Sequence, residues 1–297
     1  MHPWHRVADC GPALKRWLAY GFFWEATLDG LLLAAEHQWM PADSDLPAAA
    51  FDPQSAPWPV LDTTSIHLWL LPYQRGDSSL GALRDCIARY CGIESGQVDL
   101  DRDPAGKPWL RAPKCNLRFS ASHSGAQLVL AFLRGAADGD LIGVDLETTR
   151  PRPRTLELAR RFFSSEEADA LAALPVRQQE LAFYRFWVAK EAVLKALGRG
   201  LAHGLDKVSF ALEGDLGELR QAEARLRLVT LEVPPSPAHN ESVAQTLDAA
   251  IDSESSIAAW KLHEFAVDQA IGCIAWRGAP RRIVLFKAAK PATQPEM

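Results

Sequence analysis

The sequence predicts an α+β fold in which strands and helices recur in two halves of the chain. Apolar and polar residues alternate over residues 65–71 and 141–147, as they do in half-buried strands. Apolar side chains at helical spacing mark residues 78–90 and 177–197 as helices. At 297 residues with 48% hydrophobic content, the chain is long enough to bury a large core as one domain or two lobes.

Residues 1–62 are expected to form an N-terminal extension that ends in a proline-rich linker. The segment 12–39 is apolar with scattered polar residues and is compatible with one helix. Residues 40–62 place prolines among Ala, Asp and Ser, a composition typical of an extended linker. No apolar run approaches the ~18 residues of a membrane-spanning helix, and no export signal is recognisable. A cytoplasmic protein is therefore expected.

An N-terminal lobe is expected over residues 63–140. It begins with a strand over 65–71 and continues with a helix over 78–90. A further β-rich run over 128–133 is separated from the strand at 141–147 by a short segment that contains glycine. This arrangement predicts a hairpin that presents the acidic residues of its second strand.

A C-terminal lobe with a metal site is expected over residues 141–280, followed by a tail over 281–297. Its helices and its last two strands are predicted over residues 155–163, 166–174, 177–197, 256–265 and 270–276. Pro175 lies near the start of the third helix and Gly198 lies just past its end, as is common at helix boundaries. The stretch 233–256 is rich in helix- and strand-breaking residues and is expected to form a loop.

The most informative local feature is an acidic strand followed by a charged helix. On the strand 141–147, Asp145 and Glu147 project from the same face. On the helix, Glu191 and Lys195 are one turn apart and share a side. Three carboxylates and an ammonium suit a hard divalent cation that binds the phosphates of a substrate. Both features also have a structural explanation without chemistry. Strands at the edge of a sheet often expose acidic residues to solvent, and i,i+4 pairs of glutamate and lysine stabilise ordinary surface helices.

These motifs resemble the 4′-phosphopantetheinyl transferase family, in particular its two-lobed, surfactin-synthetase-activating type. That family has a strand of the pattern Ile/Val-Gly-Ile/Val-Asp-x-Glu and a helix of the pattern Trp-x-x-Lys-Glu-x-x-x-Lys. Both occur here without gaps, over residues 142–147 and 187–195. The other family motifs follow in order as Gly106-Lys107-Pro108, Phe119–Ser124, Arg161–Ser164 and Gly198–Leu201. The resemblance covers roughly residues 65–276.

The resemblance implies two similar α/β lobes in a pseudo-twofold arrangement, with the active site in the cleft between them. It implies an enzyme that moves the 4′-phosphopantetheine group of coenzyme A onto a serine of an apo acyl or peptidyl carrier protein. The other product is 3′,5′-adenosine diphosphate. Magnesium is expected to be held by Asp145, Glu147 and Glu191. The resemblance assigns catalytic roles to Glu191 and Lys195, with Glu167 as a further acid.

The coenzyme A site implied by the resemblance consists of Lys107, Pro108, Ser122, His123, Lys190, Lys195 and Arg75. Two positions depart from the family pattern. Ser120 stands where the family usually has asparagine, and Leu80 stands where it has a phosphate-binding arginine, so Arg75 is expected to hold the 3′-phosphate. Glu167 has an alternative role, because Ser164 and Glu167 also fit a helix capping box.

The overall charge limits the partners of the chain. The net charge of −5 and the pI near 5.9 provide no general attraction to nucleic acid. We expect a monomer that meets coenzyme A and a carrier protein, without nucleic acid or membrane. A basic cluster within residues 150–161 is either a solvated face or a docking surface for an acidic carrier protein. The five cysteines lack metal-binding spacing and are expected to be reduced thiols in the core.

Two other functions remain open from the sequence. A non-catalytic module that binds carrier protein or coenzyme A could share this fold, although such a copy would be expected to lose one acidic residue or Lys195. A different magnesium-dependent phosphoryl-transfer enzyme would be expected to show a Walker loop or kinase signature. Neither signature occurs in the chain.

Overall fold

Four α-helices, two short 3-10 helices (Ser95–Gln97 and Leu205–Lys207) and twelve strands make up the regular structure of the described part of the chain. The computed structural model describes residues 49–51, 58–74, 76–103, 106–135, 139–199, 204–213, 225–232 and 257–288. The helices are α1 (Ser79–Cys91), α2 (Thr155–Phe162), α3 (Ser165–Ala173) and α4 (Val176–Ala196). The strands are β1 (Ala49–Phe51), β2 (Ser65–Pro72), β3 (Asp99–Arg102), β4 (Pro108–Ala112), β5 (Leu117–Ser124), β6 (Gln127–Arg134), β7 (Leu141–Thr148), β8 (Val208–Glu213), β9 (Arg225–Leu231), β10 (Trp260–Val267), β11 (Ala270–Arg277) and β12 (Arg282–Ala288). This content confirms a mixed fold of the α+β class.

Two larger sheets and two hairpins organise these strands. The first sheet has the order β1-β12-β2-β6-β5, and the second has the order β10-β11-β7. The hairpins are β3-β4 and β8-β9. Strand β12 pairs in parallel with both β1 and β2, whereas the other pairs are antiparallel. The two termini of the described chain are therefore joined within one sheet.

The core forms two apolar layers on either side of the five-stranded sheet. Helix α1 packs Leu83 and Ile87 against Trp69 and Phe132 on one face of this sheet. The opposite face of β2 and β6 packs against β7, β10 and β11 through residues that include Ile66, Leu68, Val129, Val144, Leu146, Phe265 and Ile274. Helix α4 covers the other side of β7 and β11. The order of layers is thus α1, first sheet, second sheet, α4.

The structure confirms most of the predicted elements. The strands predicted over 65–71, 141–147 and 270–276 and the helix predicted over 177–197 each match an observed element to within one residue at either end. The helix α1 begins after Ser78, whose hydroxyl accepts a hydrogen bond from the amide of Gly81. No helix in the described ranges is long and apolar enough to cross a membrane.

The hairpin predicted between β6 and β7 is wrong. Strand β6 pairs with β5 and β2, whereas β7 pairs with β11 in the other sheet. The tight connection is instead the two-residue turn between β5 and β6, where Gly125 has a φ of 58°. A positive φ is the conformation that such hairpin turns require and that glycine adopts without strain.

Two segments expected outside the lobes contain strands. Residues 281–297 were expected as a tail, but β12 within them lies between β1 and β2. Strand β1 itself falls in the expected linker, residues 40–62. Strand β12 forms backbone hydrogen bonds with both neighbours in parallel orientation. These neighbours are distant in sequence, so the local sequence pattern did not predict the pairing. Residues 1–48 and 52–57 of the expected N-terminal extension and the expected loop over 233–256 lie outside the described residues.

Candidate active site

Close packing of α4 on β7 brings the predicted acidic residues together. The two elements approach so closely at Gly143 that an added Cβ would lie 1.9 Å from the carbonyl oxygen of Ala192 and 2.5 Å from the amide nitrogen of Ala196. Only a residue without a side chain fits this contact. Because Asp145 and Glu147 lie on the same side of β7 as Gly143, they face the α4 residues Glu191 and Lys195.

Asp145 is the centre of this site and is 4% exposed. Its Oδ1 accepts hydrogen bonds from the Ser122 hydroxyl at 2.8 Å and from the Lys195 ammonium at 2.7 Å. Its Oδ2 is also buried and has no hydrogen-bond partner within the described residues. A buried carboxylate oxygen without a partner costs free energy, so this atom is suited to a cation or a donor from a ligand.

Three serine hydroxyls on β5 form hydrogen bonds that hold β7, the strand that carries Asp145 and Glu147, against β5. Ser120, Ser122 and Ser124 alternate along β5 and therefore share one face. Ser120 Oγ accepts from the amide of Val144 at 3.0 Å, and Ser124 Oγ accepts from the amide of Thr148 at 2.9 Å. Strands β5 and β7 belong to different sheets, so these side chains supply acceptors to backbone amides that no neighbouring strand takes up.

Ser124 also contacts the acidic residues directly, since its hydroxyl donates to Glu147 Oε2 at 3.3 Å. Sequence reasoning singled out Ser122 and noted Ser120 as a departure, but it assigned no role to Ser124. The signal that could have identified it is the alternation of three serines on one strand. Such alternation places all three hydroxyls on the same side.

The acidic cluster, defined as Asp145, Glu147 and Glu191, is short of positive charge. Burial and the neighbouring Asp145 carboxylate raise the pKa of Glu147 to about 7. Burial and the same carboxylate raise the pKa of Glu191 to about 8. Burial alone would lower the pKa of Lys195, but Asp145 and Glu191 raise it above its ordinary value. The two glutamate shifts follow from desolvation and from repulsion by Asp145, and the Lys195 shift follows from attraction to the neighbouring carboxylates.

The donor chemistry of the acidic cluster would fit a magnesium ion, although the side chains are not arranged around one. In the described ranges, no three His, Cys, Asp or Glu side chains are arranged as a formed metal site. Lys195 instead lies against Asp145 Oδ1. The unpartnered Asp145 Oδ2 and the two glutamates with raised pKa values are oxygen donors that a hard cation would stabilise.

Lys107 reaches the end of α4 from the hairpin formed by β3 and β4. Its ammonium donates to the carbonyl oxygen of Ala196 at 2.8 Å, and its amide donates to Asp103 Oδ1 at 2.8 Å. Burial lowers the pKa of the Lys107 ammonium to about 8. Pro108 follows as the first residue of β4. The predicted Gly-Lys-Pro loop thus contacts α4 at Ala196, the residue that follows Lys195.

His123 lies beside the cluster at the end of β5. Its imidazole stacks on the ring of Tyr73, with 4.5 Å between centroids and 15° between planes. Burial and the nearby Lys195 ammonium lower the pKa of His123. Arg75, predicted to hold the 3′-phosphate, is outside the described residues.

The structure does not bring Glu167 and Lys190 into the acidic cluster. Their charged groups form an ion pair at 2.6 Å, and the side chains are 1% and 0% exposed. Lys190 also donates to the carbonyl oxygens of Leu205 and Val208. It therefore lies on the side of α4 that faces away from Asp145, where phosphate cannot reach it.

Glu167 is a helix cap, as the alternative interpretation predicted. Its Oε2 accepts from the amide of Ser164 at 2.9 Å, and the Ser164 hydroxyl accepts from the amide of Glu167 at 3.3 Å. Its Oε1 accepts from the amide of Phe210 at 2.8 Å. These contacts join α3, α4 and β8 and give Glu167 and Lys190 a structural role apart from the acidic cluster.

One arginine of the predicted basic cluster packs against a tyrosine, and the other four are exposed to solvent. Arg152 donates to the Tyr184 hydroxyl at 2.7 Å and lies over the Tyr184 ring at 5.1 Å from its centroid. The exposed members are Arg150, Arg154, Arg160 and Arg161. The exposed guanidinium groups of this cluster are available to an acidic partner.

Comparison with known proteins connects this geometry to a family. A model of the 4′-phosphopantetheinyl transferase superfamily matches residues 141–244, the range that begins with β7 and includes α4. The 4′-phosphopantetheinyl transferase HetI of Nostoc sp. is 31% identical over 210 residues, which is 60% of this chain and 81% of that protein. A 4′-phosphopantetheinyl transferase of Bacillus subtilis is 32% identical over 181 residues, 61% of this chain and 70% of the relative. The transferase Sfp of the same species is 33% identical over 156 residues, 52% and 66% of the two chains.

Proposed function

The chain belongs to the 4′-phosphopantetheinyl transferase family, and from this premise we propose that it converts apo carrier proteins to their holo form. The enzyme transfers the 4′-phosphopantetheine group of coenzyme A to a serine hydroxyl of an acyl or peptidyl carrier protein. The bond between the two phosphates of the coenzyme breaks, and 3′,5′-adenosine diphosphate leaves. The buried, partly unpaired Asp145 beside Lys195 is the observation that most directly supports a site for a charged phosphate donor.

Magnesium held by Asp145, Glu147 and Glu191 is the metal we propose for this site. Support comes from the unpartnered Oδ2 of Asp145 and from the raised pKa values of both glutamates, which burial and the Asp145 carboxylate cause. When bound, such an ion neutralises diphosphate charge and polarises the phosphoryl group. The serines of β5 hold the acidic residues in place before the ion arrives, because they bond to Asp145, Glu147 and the backbone on either side.

Lys195 and Lys107 are proposed to bind the phosphate oxygens of coenzyme A. Lys195 donates to Asp145 and to the Ser122 hydroxyl, and Lys107 donates to the backbone carbonyl of Ala196. Each lysine can exchange its neutral acceptor, the hydroxyl or the carbonyl, for a phosphate oxygen. Hydrogen bonds between ammonium and phosphate are stronger than those to neutral acceptors. Lys107 donates to the carbonyl oxygen of Ala196, the residue that follows Lys195 on α4, so both lysines are proposed to contact one diphosphate.

The carrier serine must lose a proton when it attacks, and Glu191 is the proposed acceptor. Its side chain belongs to the acidic cluster, and a carboxylate in this position can accept the proton as a general base. Glu167 is not proposed for this role, because it is enclosed by α3, α4 and β8.

His123, Ser122 and Pro108 are proposed to complete the coenzyme A site, with Arg75 at the 3′-phosphate. His123 is fixed by its stack on Tyr73 and lies within the electrostatic reach of Lys195. Its imidazole can donate to a phosphate oxygen in either protonation state.

A cleft between two lobes, residues 63–140 and 141–280, is proposed as the place where both substrates meet. The support is the separation of the β5 and β7 residues into different sheets that meet at the acidic cluster. The exposed arginines between 150 and 161 are proposed to contact the acidic carrier protein, and a monomer suffices for this arrangement.

The test is the intact mass of apo carrier proteins after incubation with the chain, coenzyme A and magnesium. One carrier is expected to gain one phosphopantetheinyl group, and its serine-to-alanine variant is expected to gain none. Chelation of magnesium is expected to stop the reaction. A chain that binds carrier or coenzyme A tightly but changes no mass under these conditions would be the non-catalytic module instead.

A further inference from the structure

Two cysteines lie next to one another at a distance from the acidic cluster. Cys91 is the last residue of α1, and Cys115 precedes β5. Their sulfur atoms are 3.3 Å apart, although the residues are 24 positions apart in the sequence. We propose that Cys91 and Cys115 form a reversible thiol–disulfide site. This inference does not depend on the transferase activity.

The geometry favours a bond between these sulfurs with little movement. A disulfide needs the sulfurs at about 2.05 Å, so they must approach by roughly 1.3 Å. Both side chains are half-buried and can be reached by a small oxidant, whereas Cys86 and Cys273 are buried in the core. The pair is therefore distinguished from the other described cysteines by both proximity and access.

The proposed oxidant is a peroxide such as hydrogen peroxide, which takes up the two electrons that the two thiols lose when the disulfide forms. Burial raises the pKa of the Cys91 thiol to about 12, so Cys91 is protonated at neutral pH and serves as the resolving thiol in the proposed sequence. Cys115 attacks the peroxide first, which gives a sulfenic acid and one water. The Cys91 sulfur then attacks the Cys115 sulfur, the disulfide forms, and the sulfenic oxygen leaves as a second water with the Cys91 proton. A dithiol reductant returns both thiols.

The bond would close the segment that contains the hairpin of β3 and β4 and its Lys107 loop. Closing a segment of this length removes conformational entropy from the unfolded chain and stabilises the fold. Lys107 already contacts Ala196 while the cysteines are reduced. We therefore expect the oxidised protein to be more stable and to keep its transferase activity within about twofold, since the hairpin is held in its present position.

The experiment treats the full-length chain with a series of hydrogen peroxide concentrations, blocks free thiols with an alkylating agent, and maps the peptides without reduction. The expected product is one peptide pair joined through Cys91 and Cys115, together with a melting temperature raised by about 5 to 10 °C. Dithiothreitol should reverse both effects. Cys91→Ser and Cys115→Ser should each abolish both effects, and Cys10→Ser should keep them.

Two results would overturn the proposal. One is a joined peptide pair that involves Cys10, Cys86 or Cys273 at peroxide concentrations that leave Cys91 and Cys115 as free thiols. The other is over-oxidation of Cys115 to its sulfinic acid in the wild type at the same rate as in Cys91→Ser, since a nearby resolving thiol must protect it.

Discussion

Removing the negative charge of Glu167 is expected to destabilise the fold while the chemistry of the folded enzyme continues. The carboxylate is buried, pairs with Lys190 at 2.6 Å and accepts bonds from the amides of Ser164 and Phe210. In Glu167→Gln the neutral amide keeps an acceptor oxygen, but the Lys190 ammonium is left as a buried charge without a carboxylate partner.

The magnitude follows from that unpaired charge. Breaking a buried ion pair by changing one partner typically costs about 3 to 5 kcal/mol of unfolding free energy. For a chain of this size, each kcal/mol lowers the melting temperature by roughly 2 to 4 °C. Glu167→Gln should therefore lower it by roughly 6 to 20 °C. Lys190→Met in the same chain removes the buried ammonium, so the double variant should recover part of that loss.

The assay combines thermal unfolding with transfer rates measured at low temperature for wild type, Glu167→Gln, Lys190→Met and the double variant. We expect the two single variants to melt early and the folded fraction of each to transfer phosphopantetheine within about threefold of wild type. If Glu167→Gln melted like wild type and lost its turnover, Glu167 would be a catalytic acid and the capping role derived from its contacts would be incorrect.

Three further perturbations test the site. Gly143→Ala should cost about 1 to 3 kcal/mol and lower turnover, because its new Cβ would lie 1.9 Å from the Ala192 carbonyl and push α4 away; urea unfolding and kcat report both effects. Lys107→Met should raise the KM for coenzyme A about tenfold or more and leave the KM for the carrier protein unchanged, as loss of a charge-assisted phosphate contact predicts. The metal-free protein should lose stability as the pH rises from about 5 to 8, because Glu147 and Glu191, with pKa values of about 7 and 8, keep protons in the folded state that the unfolded chain releases near pH 4.5. Magnesium should therefore raise the melting temperature more at pH 8 than at pH 5.5, and an equal rise at both pH values would argue against its binding to these carboxylates.

Local patterns were sufficient to predict the elements that carry the site. The alternation of β7 placed Asp145 and Glu147 on one side, and helical spacing placed Glu191 and Lys195 on one side of α4. The contact between Lys195 and Asp145 agrees with both. Such periodicities depend on backbone geometry alone, so they can be read from neighbouring residues without knowledge of the fold.

The pairing of β7 could not be predicted in the same way. Its apolar alternation identifies a buried face, but the hydrogen-bonding partner is decided by the whole sheet. The partner is β11, which pairs Asp145 with Cys273 far along the chain. The role of Gly143 was hidden for the same reason, since nothing next to it in sequence shows that α4 packs against its backbone.

Lys190 shows where a motif misleads. It directly precedes Glu191, and the family motif contains both residues, but adjacent helical positions point about 100° apart. Only the packing of α3 and β8 against α4 reveals that Lys190 pairs with Glu167 in the interior. A sequence pattern can name such a lysine but cannot distinguish a phosphate contact from a buried structural pair.

The measurement that tests the central claim most directly is the initial rate at which an apo carrier protein gains a phosphopantetheinyl group with wild type, Asp145→Asn and Asp99→Asn. Asp145 lies at the centre of the acidic cluster, whereas Asp99 is a surface carboxylate paired with Arg111. We expect Asp145→Asn to lower the rate by about 100-fold or more while it remains folded, and Asp99→Asn to match wild type. Transfer by folded Asp145→Asn at the wild-type rate would contradict the assignment of the acidic cluster as the active site.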